Sequence, residues 1–274
     1  MPNDAVSYSE ALYHFPEIWP HILMLDAGRY LLFALPAMLL LVLFPRLMAR
    51  RRIQQRRPGA RDYRREIGLS LVTSVIFSLN GFFLVFALKE AGHIDLTSDA
   101  AWYVVLGQSA LIIVMHDAWF YWMHRLLHLR PLFRAAHMAH HRSRTPTPWA
   151  AYAFAPLEAV LEAIFLPIYL LIFGGDSLTI LVFLMHMMAR NVAGHLGHEI
   201  FPRGWTRLPF LGWITTVTHH DMHHELGRWN YGLYFTWWDR WMGTEHPDYH
   251  MRFDSNAASG ERARAGGCTS VWSG

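Results

Sequence analysis

One cysteine, Cys268, occurs in the 274 residues, and it lies in a Gly/Ser/Ala-rich tail. A lone thiol cannot close an internal disulfide or build a Cys-based zinc or iron–sulfur site. Any metal bound here is therefore held by nitrogen and oxygen donors. Charge is scarce too: 16% of the residues are Asp, Glu, Lys or Arg, against about 25% in soluble domains. That is too little to coat a water-facing surface. The net charge is only +3, and no basic, aromatic-interleaved surface points to a nucleic-acid partner. The first twenty residues lack a basic stretch followed by an apolar run, so no cleaved signal peptide is expected.

Apolar sequence is abundant, with 53% hydrophobic residues, 15% aromatic residues and a mean hydropathy of +0.14. The pattern predicts an all-α integral membrane protein with four or five transmembrane helices and a cytoplasmic histidine-rich helical cap. The helices are expected near 30–48, 67–88, 100–123, 156–173 and 178–193, with Asp26 and Arg29 before the first and Pro36 kinking it. Segments of 16–24 residues at about 1.5 Å per residue suit a hydrocarbon core about 30 Å thick. Arg46, Arg50, Arg51, Arg52, Arg56, Arg57, Arg61, Arg64 and Arg65 lie around the first interhelical loop, whereas 89–99 holds only Lys89. The positive-inside rule then puts 49–66 in the cytoplasm. The same topology leaves 124–155 and 195–250 on that face, as metal-binding regions of one membrane domain spanning 1–254. Residues 255–274, rich in Ser, Gly and Ala, are expected to be disordered. Short loops and the absence of an ER-retrieval tail point to a bacterial inner membrane, or to the ER membrane in a eukaryote.

Three histidine clusters stand out: His124/His128, His137/His140/His141 and His219/His220/His223/His224. On a helix, spacings of i, i+4 and i, i+3, i+4 put imidazoles on one side. Imidazole ligates iron, zinc, copper and nickel. So many histidines exceed what one tetrahedral zinc needs, and two metals are the natural count. His219 sits about 100° round a helix from His220 and is read as a ligand or a donor behind one. Asp117 and Tyr121 share the stripe of His124, where a carboxylate can accept the second ring N–H of a ligating imidazole. Glu158 and Glu162 form another i, i+4 pair that could face the metals, but helix-end solvation or pairing with Arg142 or Arg144 is the expected role. Residues 202 and 228 are Pro and Arg, so neither His198-Glu199 nor His224-Glu225 completes the zinc-protease pattern His-Glu-x-x-His.

His124-x3-His128, His137-x2-His140-His141 and His220-x2-His223-His224 resemble the three histidine boxes of the fatty acid hydroxylase/sterol desaturase superfamily. Trp119–Arg125 is similar to that family's aromatic lead-in, and Asn230–Thr244 to its closing segment. Asn191-Val-Ala-Gly-His195-Leu-Gly-His198-Glu199 is similar to a looser fourth element. One departure is Ala155, where many relatives place a histidine before Pro-Leu-Glu. The resemblance implies a membrane-bound non-haem di-iron oxidoreductase that uses O2 to hydroxylate or desaturate a lipid of sterol or fatty acyl type. It implies His124, His128, His137, His140, His141, His195, His220, His223 and His224 as catalytic iron ligands, with His198 or Glu199 able to complete the site. Zinc can replace the two irons in purified protein, because all-imidazole sites accept both metals. No Rossmann glycine fingerprint or haem motif is present. Electrons are therefore expected from a cytochrome b5, ferredoxin or flavin reductase partner, and the lipid substrate from the surrounding membrane. Two other readings are a histidine-rich metal transporter or sensor and a non-catalytic lipid-binding relative. A transporter would place its ligands at the bilayer midplane, in broken helices.

Overall fold

The computed structural model describes residues 12–90 and 100–265. Among these residues the regular structure is helical; pairing of the β type is limited to two isolated bridges, Arg52 with His198 and Ile214 with Phe235. Five segments are long and apolar enough to cross a membrane: Phe15–Leu43, Ala60–Phe83, Trp102–Leu127, Pro156–Phe173 and Ser177–Gly194. Between 17% and 33% of each is buried inside the protein. Side chains such as Leu25, Leu32, Leu35, Leu39, Val42 and Leu181 point outward. A protein in water would not leave so much apolar surface exposed; a bilayer covers it.

The first helix, α1 (Phe15–Leu43), begins well before residue 30 and contains Asp26 and Arg29 rather than following them. These two charges are tolerated because they pair with each other, and Arg29 also donates to the Tyr152 hydroxyl at 3.2 Å. Helix α2 (Ala60–Glu90) packs along α1. Helix α3 (Trp102–Leu127) carries the first histidine cluster at its C-terminal end. The expected outer loop at 89–99 falls largely on residues 91–99, outside the described residues.

The short helix α4 (Met138–His141) follows a π-helical turn, Phe133–His137. The fourth span is two helices, α5 (Pro156–Ala163) and α6 (Phe165–Phe173), meeting at Ile164. Pro167 explains the break: it has no N–H for the Ala163 carbonyl, and its ring crowds that carbonyl. Helix α7 (Ser177–Gly194) starts where the Asp176 carboxylate accepts from Leu178 N at 2.9 Å and Thr179 N at 3.0 Å. It packs on both α1 and α3.

Beyond the spans, α8 (Val217–Leu226) opens with a Thr216 cap and ends at Gly227, whose φ of 71° suits glycine. A short helix α9 (Trp237–Trp241) and helix α10 (Tyr249–Ala265) complete the cap. The tail expected to be disordered from Ser255 is corrected here: residues 255–265 are helical. Ala257 packs with Phe253, Tyr249 and Met222 in a buried cluster. Residues 266–274 lie outside the described residues.

The arginine-rich segment lies against this cap. Ile53 N donates to the Gly197 carbonyl at 3.1 Å, and Glu199 N to the Arg51 carbonyl at 2.8 Å. Gln54 Nε2 reaches Asp221 Oδ1 at 2.8 Å. The arginines and the histidine clusters therefore share one end of the helix bundle.

Candidate metal centre

Nine histidines collect into two groups. His124, His128, His137, His141 and His223 form one; His140, His195, His220 and His224 form the other. Within each group, the donor atoms lie within 4.8 Å of one another. Each triplet is divided. His137 and His141 go to one group and His140 to the other; His220 and His224 stay together while His223 crosses. Helix geometry explains the split, because i and i+4 differ by about 40° whereas adjacent residues differ by about 100°. Each triplet thus serves the two groups as two plus one.

The rings meet through Nε2. His124 and His137 are 3.0 Å apart at these atoms, His141 and His128 3.1 Å, His141 and His137 3.1 Å, and His223 and His141 3.0 Å. In the second group the separations are 3.1 Å for His220–His195, 3.2 Å for His224–His195 and His224–His220, and 3.5 Å for His195–His140. Two nitrogens bound about 2.1 Å from one ion stand about 3.0 Å apart at a right angle and about 3.4 Å apart at a tetrahedral angle. The donor set therefore fits one metal ion in each group.

The opposite ring nitrogens are tethered. His124 Nδ1 donates to the Tyr231 carbonyl at 2.9 Å, His223 Nδ1 to the Trp229 carbonyl at 2.7 Å, and His195 Nδ1 to the Asn191 carbonyl at 2.8 Å. His137 Nδ1 meets Glu158 Oε1 at 2.7 Å. A ring that gives its Nδ1–H away presents the Nε2 lone pair, so these contacts select the ligating tautomer. Burial acts in the same direction. It pushes His141 down to about 3 and His195 to about 4, and holds His137, His140, His220, His223 and His224 well below the ordinary imidazole range. Neutral imidazole is the form that binds metal.

Other expected site residues stand elsewhere. His198 belongs to neither group; its Nδ1 bonds the Leu196 carbonyl at 2.9 Å, beside the Arg52 bridge. His219 is fully buried, but its Nε2 faces Asp239 at 3.4 Å and its ring packs on Tyr249. Glu199 caps α8, accepting from Thr218 N at 2.9 Å and from Phe201 N at 3.0 Å. Asp117 does not back a ligand. It accepts from Tyr234 N, Phe235 N and Trp237 Nε1 at 2.8, 3.2 and 2.8 Å, pinning the closing segment to α3. Tyr121 Oη pairs with Thr244 Oγ1 at 2.9 Å. The carboxylate actually behind a group histidine is Glu158, which corrects its expected role in helix-end solvation or pairing with Arg142 or Arg144. The tethering carbonyls of Asn191, Trp229 and Tyr231 carry no side-chain signal and were missed.

An apolar cavity of about 610 Å³ runs between the spans, walled on one side by residues that pack against the histidines. Its wall includes Phe120, Phe154 and Asn191. The Phe120 ring lies 5.1 Å from His124 and the Phe154 ring 5.3 Å from His140, centroid to centroid. Asn191 is the residue whose carbonyl holds His195. Each group thus packs behind a side chain that walls the cavity.

Five apolar spans, two all-histidine donor groups and a lipid-sized slot define a helical membrane protein built around a candidate dinuclear centre. Residues 109–244 match the fatty acid hydroxylase family, and the chain belongs to it. Among curated proteins it is 33% identical to a methylsterol monooxygenase of Aspergillus fumigatus over 149 residues, 53% of this chain and 49% of that protein. It is 31% identical to lathosterol oxidase of Rattus norvegicus over 169 residues, 60% and 55% of the two chains. A Delta(7)-sterol 5(6)-desaturase of Gibberella zeae is 28% identical over 146 residues, 53% and 44%. The chain spans about half the length of these relatives. No solved structure matches it.

Proposed function

We propose that this chain is a membrane-bound, O2-dependent lipid oxidoreductase that hydroxylates or desaturates a substrate of sterol or fatty acyl type. The carrying observation is that nine histidines converge in two groups behind Phe120 and Phe154, which wall an apolar cavity between the spans. Two iron ions, the five-histidine group holding one and the four-histidine group the other, would supply the oxidation of an unactivated C–H bond. The protein's own part is to keep the rings neutral by burial and to fix the tautomer of four of them, His137 through Glu158 and His195, His223 and His124 through the carbonyls of Asn191, Trp229 and Tyr231. Phe120 and Phe154 flank the way from the cavity to the two groups, and their apolar rings keep that way dry for the lipid carbon to be oxidised. Electrons come from an external cytochrome b5, ferredoxin or flavin reductase. The shared end of the arginines and histidines supports a cytoplasmic metal site, in a bacterial inner membrane or an ER membrane. A transporter would need ligands at the midplane; His124 ends α3 and His195 follows α7, at the ends of their spans.

The test is iron and zinc per chain by elemental mass spectrometry on detergent-purified protein, followed by reductase-driven oxidation of candidate lipids. We expect about two metal ions per chain. His140→Ala and His223→Ala should each lose metal from a different group, and both should abolish lipid oxidation while the protein still inserts. Metal well below one ion per chain after anaerobic iron loading, or full activity in either variant, overturns the reading.

A further inference from the structure

The cavity is apolar but not uniformly so, and most polar groups in its wall are already paired. Asp26 pairs with Arg29, His116 Nδ1 lies 3.0 Å from the Tyr234 hydroxyl, Ser78 Oγ bonds Trp19 and the Val75 carbonyl, and Asn191 Nδ2 donates to the Ala151 carbonyl. Three side chains differ. Glu162, Asn80 and Ser177 line the cavity, and none makes a side-chain hydrogen bond to a described residue. A polar group facing apolar walls without a partner is costly, the more so for a carboxyl. Such a group is retained where something else satisfies it.

Glu162 stands apart from the other two, because Ser177 opens α7 at the end opposite His195. Glu162 is one turn from Glu158 on the same face of α5, about 6 Å along the axis, and Glu158 is the carboxylate on His137. Its electrostatic neighbours are Glu158 and Tyr234. Asn80 stands beside Gly81, against Ile22, near the Trp19–Ser78 bond. That is toward the N-terminal end of α1, away from the histidines.

We propose that Glu162 anchors the hydroxyl group of a lipid alcohol, holding the hydroxyl-bearing end of the substrate next to the metal centre. The inference rests on the oxidoreductase reading and extends it to the substrate's chemical class and orientation. A carboxyl group can accept a hydrogen bond from a hydroxyl and, as the acid, also donate one. It therefore pairs with a lipid alcohol in either form, whereas a pure hydrocarbon leaves it unsatisfied. The hydrocarbon body then fills the outer cavity between Leu25, Leu32, Leu181 and Leu184. The bond oxidised accordingly lies near the hydroxyl end and not in the remote tail.

The experiment is equilibrium binding of 5α-cholestan-3β-ol and of 5α-cholestane, its counterpart without the hydroxyl, to the purified full chain in detergent. Wild type, Glu162→Leu, Glu162→Gln and Asn80→Leu are compared, with metal content recorded for each. The wild-type protein should prefer the alcohol by about 10-fold, the value of one well-made hydrogen bond. Glu162→Leu should erase the preference, Glu162→Gln should keep most of it, and Asn80→Leu should leave it intact, with metal content unchanged throughout. Preference surviving in Glu162→Leu, preference lost instead in Asn80→Leu, or wild type binding both probes alike or neither overturns the proposal. Iron content and lipid oxidation test the oxidoreductase reading separately. A metal-poor protein whose alcohol preference still depends on Glu162 would retain the anchor and lose the oxidation.

Discussion

Glu158 reaches His137 Nδ1 across 2.7 Å, both side chains being 2% exposed. A carboxylate in that position orients the ring and raises its basicity, and its loss typically costs about 10–100-fold in metal affinity. Glu158→Ala should therefore weaken the five-histidine group by that factor while leaving the other group at wild-type affinity, as read by chelator competition. Equal weakening of both groups would contradict the assignment. The helix period made the box histidines legible in the sequence, because it brings residues three and four apart to one face. Asp117 was placed on the right stripe and given the wrong task. Whether a carboxylate faces a ring or a backbone amide depends on what packs above it, and the segment above Asp117 begins more than a hundred residues later in the chain.

The closing segment, 229–245, shows the same at the scale of an element. Its carbonyls at Trp229 and Tyr231 hold His223 and His124, both of the five-histidine group. Asp239 accepts from Tyr231 N and Gly232 N at 2.8 Å each, and from Thr244 Oγ1 at 2.7 Å, folding the segment on itself. A Cβ at Gly232 would stand 2.4 Å from the Phe235 carbonyl oxygen and 2.9 Å from Asp239 Oδ2. Gly232→Ala should thus displace the turn at a cost of about 1–3 kcal/mol. The expected signature is a lower melting temperature with metal lost first from the five-histidine group. The spans were readable from apolar length, yet their ends were not. Paired charges let α1 run past Asp26 and Arg29, and Pro167 divides the fourth span through one missing N–H.

Across the whole molecule, the cap is tied to the bundle through the centre itself. Group one joins α3, α4 and α8; group two joins α4, α8 and the end of α7. A ligand that binds only the folded state stabilises it in proportion to its occupancy. Removing metal with a chelator should therefore lower the melting temperature and increase protease cleavage within 195–236, while 15–43 stays protected. Unchanged cleavage would mean that the cap stands without metal. The sequence by itself determined the membrane setting, the helical class, the donor chemistry and the family, because each is written in composition or in a local period. Only the tertiary structure decided how nine rings divide into five and four and which carbonyls hold them. It also decided that the arginine segment braces the cap, and that one carboxyl is left facing the cavity. Those outcomes depend on contacts between residues far apart in the chain, where local periodicity carries no information.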